Sequence, residues 1–425
     1  MSDSPDKVRL AIIGAGSRGA GYASFAEAHP DQVTVTAVAE PNPLRREALV
    51  ERFGISAENV FTRWEDLAAR EVKVADAVVV ATQDRLHLAP AIALAQRGYH
   101  MLLEKPMAPT EDDCRAIVAA VKAAGILFAV AHVMRYTRYT TALKQLIDSG
   151  SIGNVITVQH LEPVGFWHQA HSFVRGNWHS AEQSTFMLMA KSCHDLDWLR
   201  YIVGSRFRAV SSFGRLSHFT PANRPAGAAD RCLDCAVEAE CAYSAGRFYL
   251  GHLHKGNKGW PVDVITGDPN PTEESVREAL RTGPYGRCVY AGDNDVVDHQ
   301  VVNMDFENGA TASFTMTAFN EAAPRRTGIF GTRGEIRGDG VKLEVFDFLT
   351  GQTETIDTDA DADLEGVLQG HGGGDYGLMK AFIDAVAAGD PTPILSGPDA
   401  TLESHLAVFA AESARNADQV AKLLT

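Results

Sequence analysis

From Val8 to Ile13 the chain runs Val-Arg-Leu-Ala-Ile-Ile, an apolar stretch of strand length that stops at Gly14-Ala15-Gly16-Ser17-Arg18-Gly19. A helix over Ser17–Ala28 follows, then a second apolar run, Val33–Ala39, that ends in Glu40. The alternation continues with a helix at Pro43–Phe53, a strand at Ala77–Ala81 and a helix at His87–Arg97. A strand at His100–Leu103, a helix at Thr110–Ala124 and a strand at Leu127–Ala131 complete it. Strands that alternate with helices predict parallel βαβ units.

The turn after the first strand separates its glycines by function. Gly14 permits the tight turn, Gly16 lets backbone N–H groups approach a pyrophosphate, and Gly19 lets the helix pack closely on the strand. Ser17 and Arg18 begin a helix whose positive end faces the phosphates. Glu40, 26 residues after Gly14, is placed to bind ribose hydroxyls. A carboxylate there repels a 2′-phosphate, so NAD is the expected cofactor, while Arg45 and Arg46 leave NADP open. Thr82-Gln83-Asp84 and Glu104-Lys105-Pro106 follow strand ends, where ligands bind in an open α/β sheet.

Composition narrows the partners. The 425 residues are 45% apolar and 22% charged, which excludes a disordered chain and allows two to four domains. With 39 basic against 54 acidic residues the formal charge is −15, a poor match for nucleic acid or an anionic membrane. There is no apolar run of about 18 residues, and the first residues lack a basic, apolar leader, so a cytoplasmic location is expected.

The segments Ala81-Thr-Gln-Asp-Arg-Leu-His87 and Gly98-Tyr-His-Met-Leu-Leu-Glu-Lys-Pro106 resemble the Gfo/Idh/MocA superfamily of sugar and polyol dehydrogenases. Arg135-Tyr136, followed by Leu146-Ile-Asp-Ser-Gly-Ser-Ile-Gly-Asn154, is similar to that family's hinge into its second domain. The likeness is specific over the first domain and looser beyond it. It implies cofactor contacts at Thr82, Asp84, His87, Glu104, Lys105 and Arg135. It also implies an α/β chain with a Rossmann domain at residues 1–132 and an α+β domain at 133–425, the latter a large, mostly antiparallel open sheet with helices on one face. Val155–Glu162, Ala209–Gly214, Val296–Glu307, Ala310–Ala318, Arg325–Phe330, Glu335–Gly338 and Lys342–Asp347 read as its strands. Asp375–Ala388 and Pro398–Asn416 read as covering helices, and His371-Gly-Gly-Gly-Asp375 resembles the opening of the family helix that packs back on the first domain. The bare sheet face implies a homodimer or homotetramer.

In relatives an Asp stands four residues before a catalytic His, and both act with the Lys of the Glu-Lys-Pro motif on one sugar hydroxyl. Here Lys105 and His194 are present, but Ala190 holds the Asp position and Lys191 follows it. Two lysines in one cleft repel each other's charge and lower at least one pKa. Lys105 and His194 are therefore the expected base pair, with Lys191 tuning or orienting. The implied activity is NAD-dependent oxidation of a secondary hydroxyl of a sugar, sugar derivative or cyclic polyol. A redox-neutral NAD-dependent glycosidase and a non-catalytic NAD-dependent sensor are the alternatives.

Two further segments carry chemistry. Gly165–His179 mixes aromatic rings with directional donors, as a sugar requires, and marks His168, His171, Arg175 and Asn177 as candidate substrate contacts, with Asp195 beside His194. Cys232, Cys235 and Cys241 are bunched and Cys288 follows after a gap of 46 residues. Four thiolates suit a structural zinc ahead of an iron–sulfur cluster. They fall in His218–Asp293, a Gly- and Pro-rich region that reads as an insertion too poor in apolar residues to order itself without a metal.

Overall fold

The computed structural model describes residues 7–359 and 371–423. Strands β1 (Val8–Ile13), β2 (Val33–Ala39), β3 (Val60–Phe61), β4 (Ala77–Val80), β5 (His100–Leu103) and β6 (Phe128–Val130) form a wholly parallel sheet. Their order is β3-β2-β1-β4-β5-β6. Successive side chains on a strand point to opposite faces, and β1 uses both: Leu10 and Ile12 join one core while Ala11 and Ile13 join the other. The strand order reverses between β1 and β4, so the binding crevice opens at their carboxyl ends. The long helix after Gly19 is broken, with helical turns at Ser17–Ala23 and Phe25–Ala28. β3 was not expected because two residues leave no readable pattern.

The second sheet has nine strands: β7 (Val155–Pro163), β8 (Phe207–Arg215), β9 (His299–Phe306), β10 (Thr311–Thr317), β11 (Arg326–Gly331), β12 (Gly334–Gly338), β13 (Lys342–Asp347), β14 (Thr353–Asp357) and β15 (Val420–Lys422). Their order is β14-β13-β12-β11-β7-β10-β9-β8-β15, and β7 with β10 is the parallel pair in an otherwise antiparallel sheet. In β9, Gln300, Val302, Met304 and Phe306 are buried while the residues between them are not. Helices Cys193–Val203 and Pro398–Ala417 cover the buried face through Leu196, Trp198, Val408 and Ala411. β14 escaped the sequence reading because Thr-Glu-Thr-Ile-Asp is mostly polar. Among the described residues no helix is long and apolar enough to cross a membrane.

Two features depart from simple domain order. Helix Gly374–Ala388 lies at the far end of the chain, yet Leu378, Met379, Phe382 and Ile383 complete the first domain's core beside Leu10 and Ile12. The region between β8 and β9 joins strands that are immediate neighbours, so most of it is surplus to the sheet. Contrary to the expectation from its composition, this insertion orders itself. Helices Ala245–His254, Val262–Thr266 and Glu273–Thr282 enclose Tyr249, Val262, Val276 and Leu280, each with no exposed surface. Its apolar residues are few but fall at helical spacing, which composition alone does not reveal.

Candidate active site

The loop after β1 fits a dinucleotide. Gly14 has φ +90°, and a Cβ there would stand 2.6 Å from the Ala81 carbonyl oxygen. At Gly19 a Cβ would meet the Gly14 oxygen at 1.9 Å, whereas at Gly16 the nearest atom is the Arg45 guanidinium at 3.9 Å. Two glycines thus hold the turn against the sheet, and the third leaves room for a pyrophosphate. Glu40, at the end of β2, accepts from the backbone N–H groups of Ala15 at 2.6 Å and Asn42 at 2.8 Å. Its carboxylate thereby braces the loop.

A cleft of about 550 Å³ runs from Ser17, Arg18 and Thr82 in the first domain to the second. Arg18 is held by Glu104 at 2.5 Å and Asp375 at 2.6 Å, and Tyr22 donates to Glu104 at 2.7 Å. Burial pushes the Asp375 carboxyl up, but His371 and Arg18 together outweigh it and hold it well below the usual range. Asp84 also lines the cleft, accepting from Trp178 and Ser184, each at 2.9 Å. His87 lies behind this wall, between the carbonyls of Pro106 and Thr82, and positions the two segments rather than meeting a ligand.

Lys105 and His194 both line the cleft. The Lys105 ammonium donates to the Ala190 carbonyl at 2.8 Å. His194 has its Nδ1 buried without a partner, and burial, with the charge of Lys105 next, lowers its pKa well below 6.5. Lys191 lies beside them and pairs with Glu162 of β7 at 3.1 Å, neither turned to solvent nor paired with Asp195. Burial lowers the Lys191 pKa, Glu162 opposes this, and Arg325 and Lys105 add to the lowering. Arg325 pairs with Glu162 at 2.7 Å and Asp195 at 2.8 Å.

Several expected contacts are corrected. Asp195 is wholly buried between His160 and Arg325, so it aims Arg325 and does not reach the cleft. Arg135 clamps Asp197 through two bonds of 2.7 Å and is sealed inside the hinge, away from the cofactor crevice. The segment Gln169–Arg175 winds as a π-helix, whose wider turn sends its side chains in two directions. Ser172 and Phe173 face the cleft, while His171 bonds Tyr249 at 2.6 Å and stacks on Tyr285 of the insertion. Arg175 points to the cysteines, and Asn177 is exposed on the surface. Of that group His168 alone lines the cleft; burial first, then Lys191, lowers its pKa well below 6.5.

The sequence reading passed over Arg325, Glu162, His371 and Asp375 as site residues. Trp167, Trp178 and Trp260 bring three of the chain's five tryptophans to the cleft, and Trp260 comes from the insertion. Trp167 and Trp260 stand 5.4 Å apart between ring centres. All four cysteines Cys232, Cys235, Cys241 and Cys288 line a second cavity, of about 480 Å³. Among the described residues, however, no three His, Cys, Asp or Glu side chains converge closely enough to hold a single metal ion, which the expected zinc requires.

The chain is 30% identical over 176 residues to the levoglucosan dehydrogenase of Pseudarthrobacter phenanthrenivorans, covering 41% of this chain and 44% of that protein. It is 27% identical over 221 residues to the 2,7-anhydro-N-acetylneuraminate hydratase of Escherichia coli, covering 50% and 55%. The chain spans about half the length of these curated relatives. A solved levoglucosan dehydrogenase in complex with NADH and levoglucosan shares the fold with a TM-score of 0.72 at 20% identity, over 99% of this chain and 100% of that one. Residues 8–132 match the oxidoreductase family's NAD-binding Rossmann fold and residues 144–422 its C-terminal alpha/beta domain. The chain therefore belongs to the Gfo/Idh/MocA oxidoreductase family.

Proposed function

We propose that this protein is an NAD-dependent dehydrogenase that oxidises a secondary hydroxyl of a sugar, sugar derivative or cyclic polyol. The observation that carries this reading is the meeting of Lys105 and an uncharged His194 in one tryptophan-walled cleft beside the glycine loop. NAD, when bound, supplies the hydride acceptor. The His194 imidazole, kept neutral, accepts the proton of the reacting hydroxyl. Lys105 donates to the oxygen as it gains negative charge, and Lys191, fixed by Glu162, orients a neighbouring hydroxyl. The indole faces take the apolar C–H side of a ring and exclude water. Glu40 favours NAD over NADP, and the uncovered face of the second sheet suits a homodimer or homotetramer.

The test is a panel of hexoses, inositols and anhydrosugars with NAD or NADP, run on the native enzyme and on Lys105→Ala. The reading expects NADH formation with one member, reduced at least about 100-fold in the variant while NAD binding persists. No nicotinamide reduction across the panel by protein that binds NAD would overturn it. A redox-neutral second reading draws on the His371–Asp375 pair, 3.1 Å apart in the same cleft, which offers another proton carrier, and on the hydratase relatives. Product formed with no net NADH supports that reading instead.

A further inference from the structure

The cavity walled by cysteines stands apart from the dehydrogenase reading. All six cysteines are free thiols, and four of them, from two separated stretches of chain, border this one space. A backbone bridge between Arg231 and Arg287, with Cys288 N–H donating to Asp230 at 2.8 Å, sets Cys232 beside Cys288. Two short turns then bring in the others: Cys235 N–H donates to the Cys232 carbonyl at 3.3 Å, and Cys241 N–H to Glu238 at 3.1 Å. The fold thus gathers thiols that are distant in sequence, which packing alone does not demand.

An independent observation lies in the same wall. Arg175 is 6% exposed, and its guanidinium reaches the carbonyls of Arg287 at 2.7 Å and Tyr243 at 2.8 Å. The same terminal nitrogen that donates to Tyr243 also donates to the Cys232 sulfur, 3.4 Å away. Among the described residues no carboxylate pairs with it, although buried charges are normally paired. Four thiolates around a metal centre carry the missing negative charge, and N–H donors to sulfur are a means of tuning such a centre.

The spread of the thiols bears on the kind of centre. A single zinc, with bonds of about 2.3 Å, requires its sulfurs to meet at one point. These thiols instead stand around the wall of a cavity of about 480 Å³ and do not converge on an ion. Apolar side chains such as Val289 and Tyr290 close the space beside them. We propose that Cys232, Cys235, Cys241 and Cys288 ligate an iron–sulfur cluster of the four-iron class, with Arg175 as its buried counter-charge. Arg175 shares a π-helix with Ser172 and Phe173 of the substrate cleft, so the cluster fastens that wall to the insertion.

The experiment is metal and acid-labile sulfide analysis of the full chain, purified anaerobically without chelator, alongside Cys241→Ser. About four irons and four sulfides per chain, with visible absorption bleached by dithionite, are expected. Cys241→Ser should lose iron at least about fivefold while NAD binding, a property of the other domain, is unchanged. One zinc per chain without sulfide would overturn the cluster, and four reagent-reactive thiols with no metal would overturn the site. Should the variant fail to fold, the native protein's iron and sulfide content decides alone.

Discussion

The Lys105 ammonium donates to the backbone carbonyl of Ala190 over 2.8 Å, at the position where the family resemblance implies an aspartate. A carbonyl dipole can orient the lysine but cannot neutralise it. The negative charge beside Lys191 is supplied from β7 by Glu162, which pairs with it at 3.1 Å and with Arg325 at 2.7 Å.

Glu162→Gln tests what this carboxylate does in the cleft. Removing the carboxylate leaves the cleft more positive, so the charged forms of His194 and Lys191 become still less favoured. The acid limb of kcat/KM should move to lower pH, by about half a unit or more. Breaking the buried pair should also destabilise the fold by about 3 kcal/mol. An unmoved limb in a folded variant would place Glu162 outside the chemistry.

Glu40→Ala removes an acceptor of two backbone N–H groups as well as the charge that discriminates against a 2′-phosphate. The expected outcome is a rise in KM for NAD of about 10-fold or more, with NADP affected less, so that the preference narrows. Initial rates with each cofactor measure it. Equal losses with both would assign Glu40 to bracing the loop alone.

Trp260→Ala asks whether the insertion shapes the substrate cleft. One stacked ring contributes about 0.5–1.5 kcal/mol, so KM for the substrate should rise about 3- to 10-fold with kcat held within about twofold. Steady-state kinetics with the best panel substrate measure the split. A loss confined to kcat would contradict a role in binding.

Acid stability follows from two buried imidazoles. Burial lowers the pKa of His132 to about 3 and of His405 to about 4. In the unfolded chain both take up protons below about pH 6.5, whereas the folded protein keeps them neutral. Their contribution is complete above that value and is lost as pH falls toward 4 and then 3. His132 has no hydrogen-bond partner at either ring nitrogen, so His132→Leu should flatten the decline. Urea unfolding between pH 6 and 4 should show a slope shallower by roughly 1.4 kcal/mol per pH unit. Parallel slopes would remove His132 from the account.

The glycine loop, Glu40, Lys105 and His194 were legible because each sits in a local motif whose order along the chain fixes its place. Arg135, Asp195 and Arg175 were misplaced for a common reason. Each is a charged residue in the right neighbourhood whose partner, Asp197, Arg325 or the cysteine wall, comes from a distant segment. Glu162 and Arg325 were missed as site residues because they read as ordinary members of amphipathic strand segments. Their convergence depends on β7 and β11 lying side by side. The insertion was recognised by position, but its ordering was not, since pairs four residues apart, Ala245 with Tyr249 and Val276 with Leu280, build a core that a poor average composition hides.

The helix Gly374–Ala388 has a consequence for the order of synthesis. The face of β1 bearing Leu10 and Ile12 is closed by Leu378, Phe382 and Ile383, which leave the ribosome about 250 residues after β6. At about 5–20 residues per second that gap lasts roughly 10–50 s. For that interval the nascent nucleotide-binding sheet carries an unfinished apolar wall, a natural target for chaperones. The far end of the chain therefore times the maturation of its beginning.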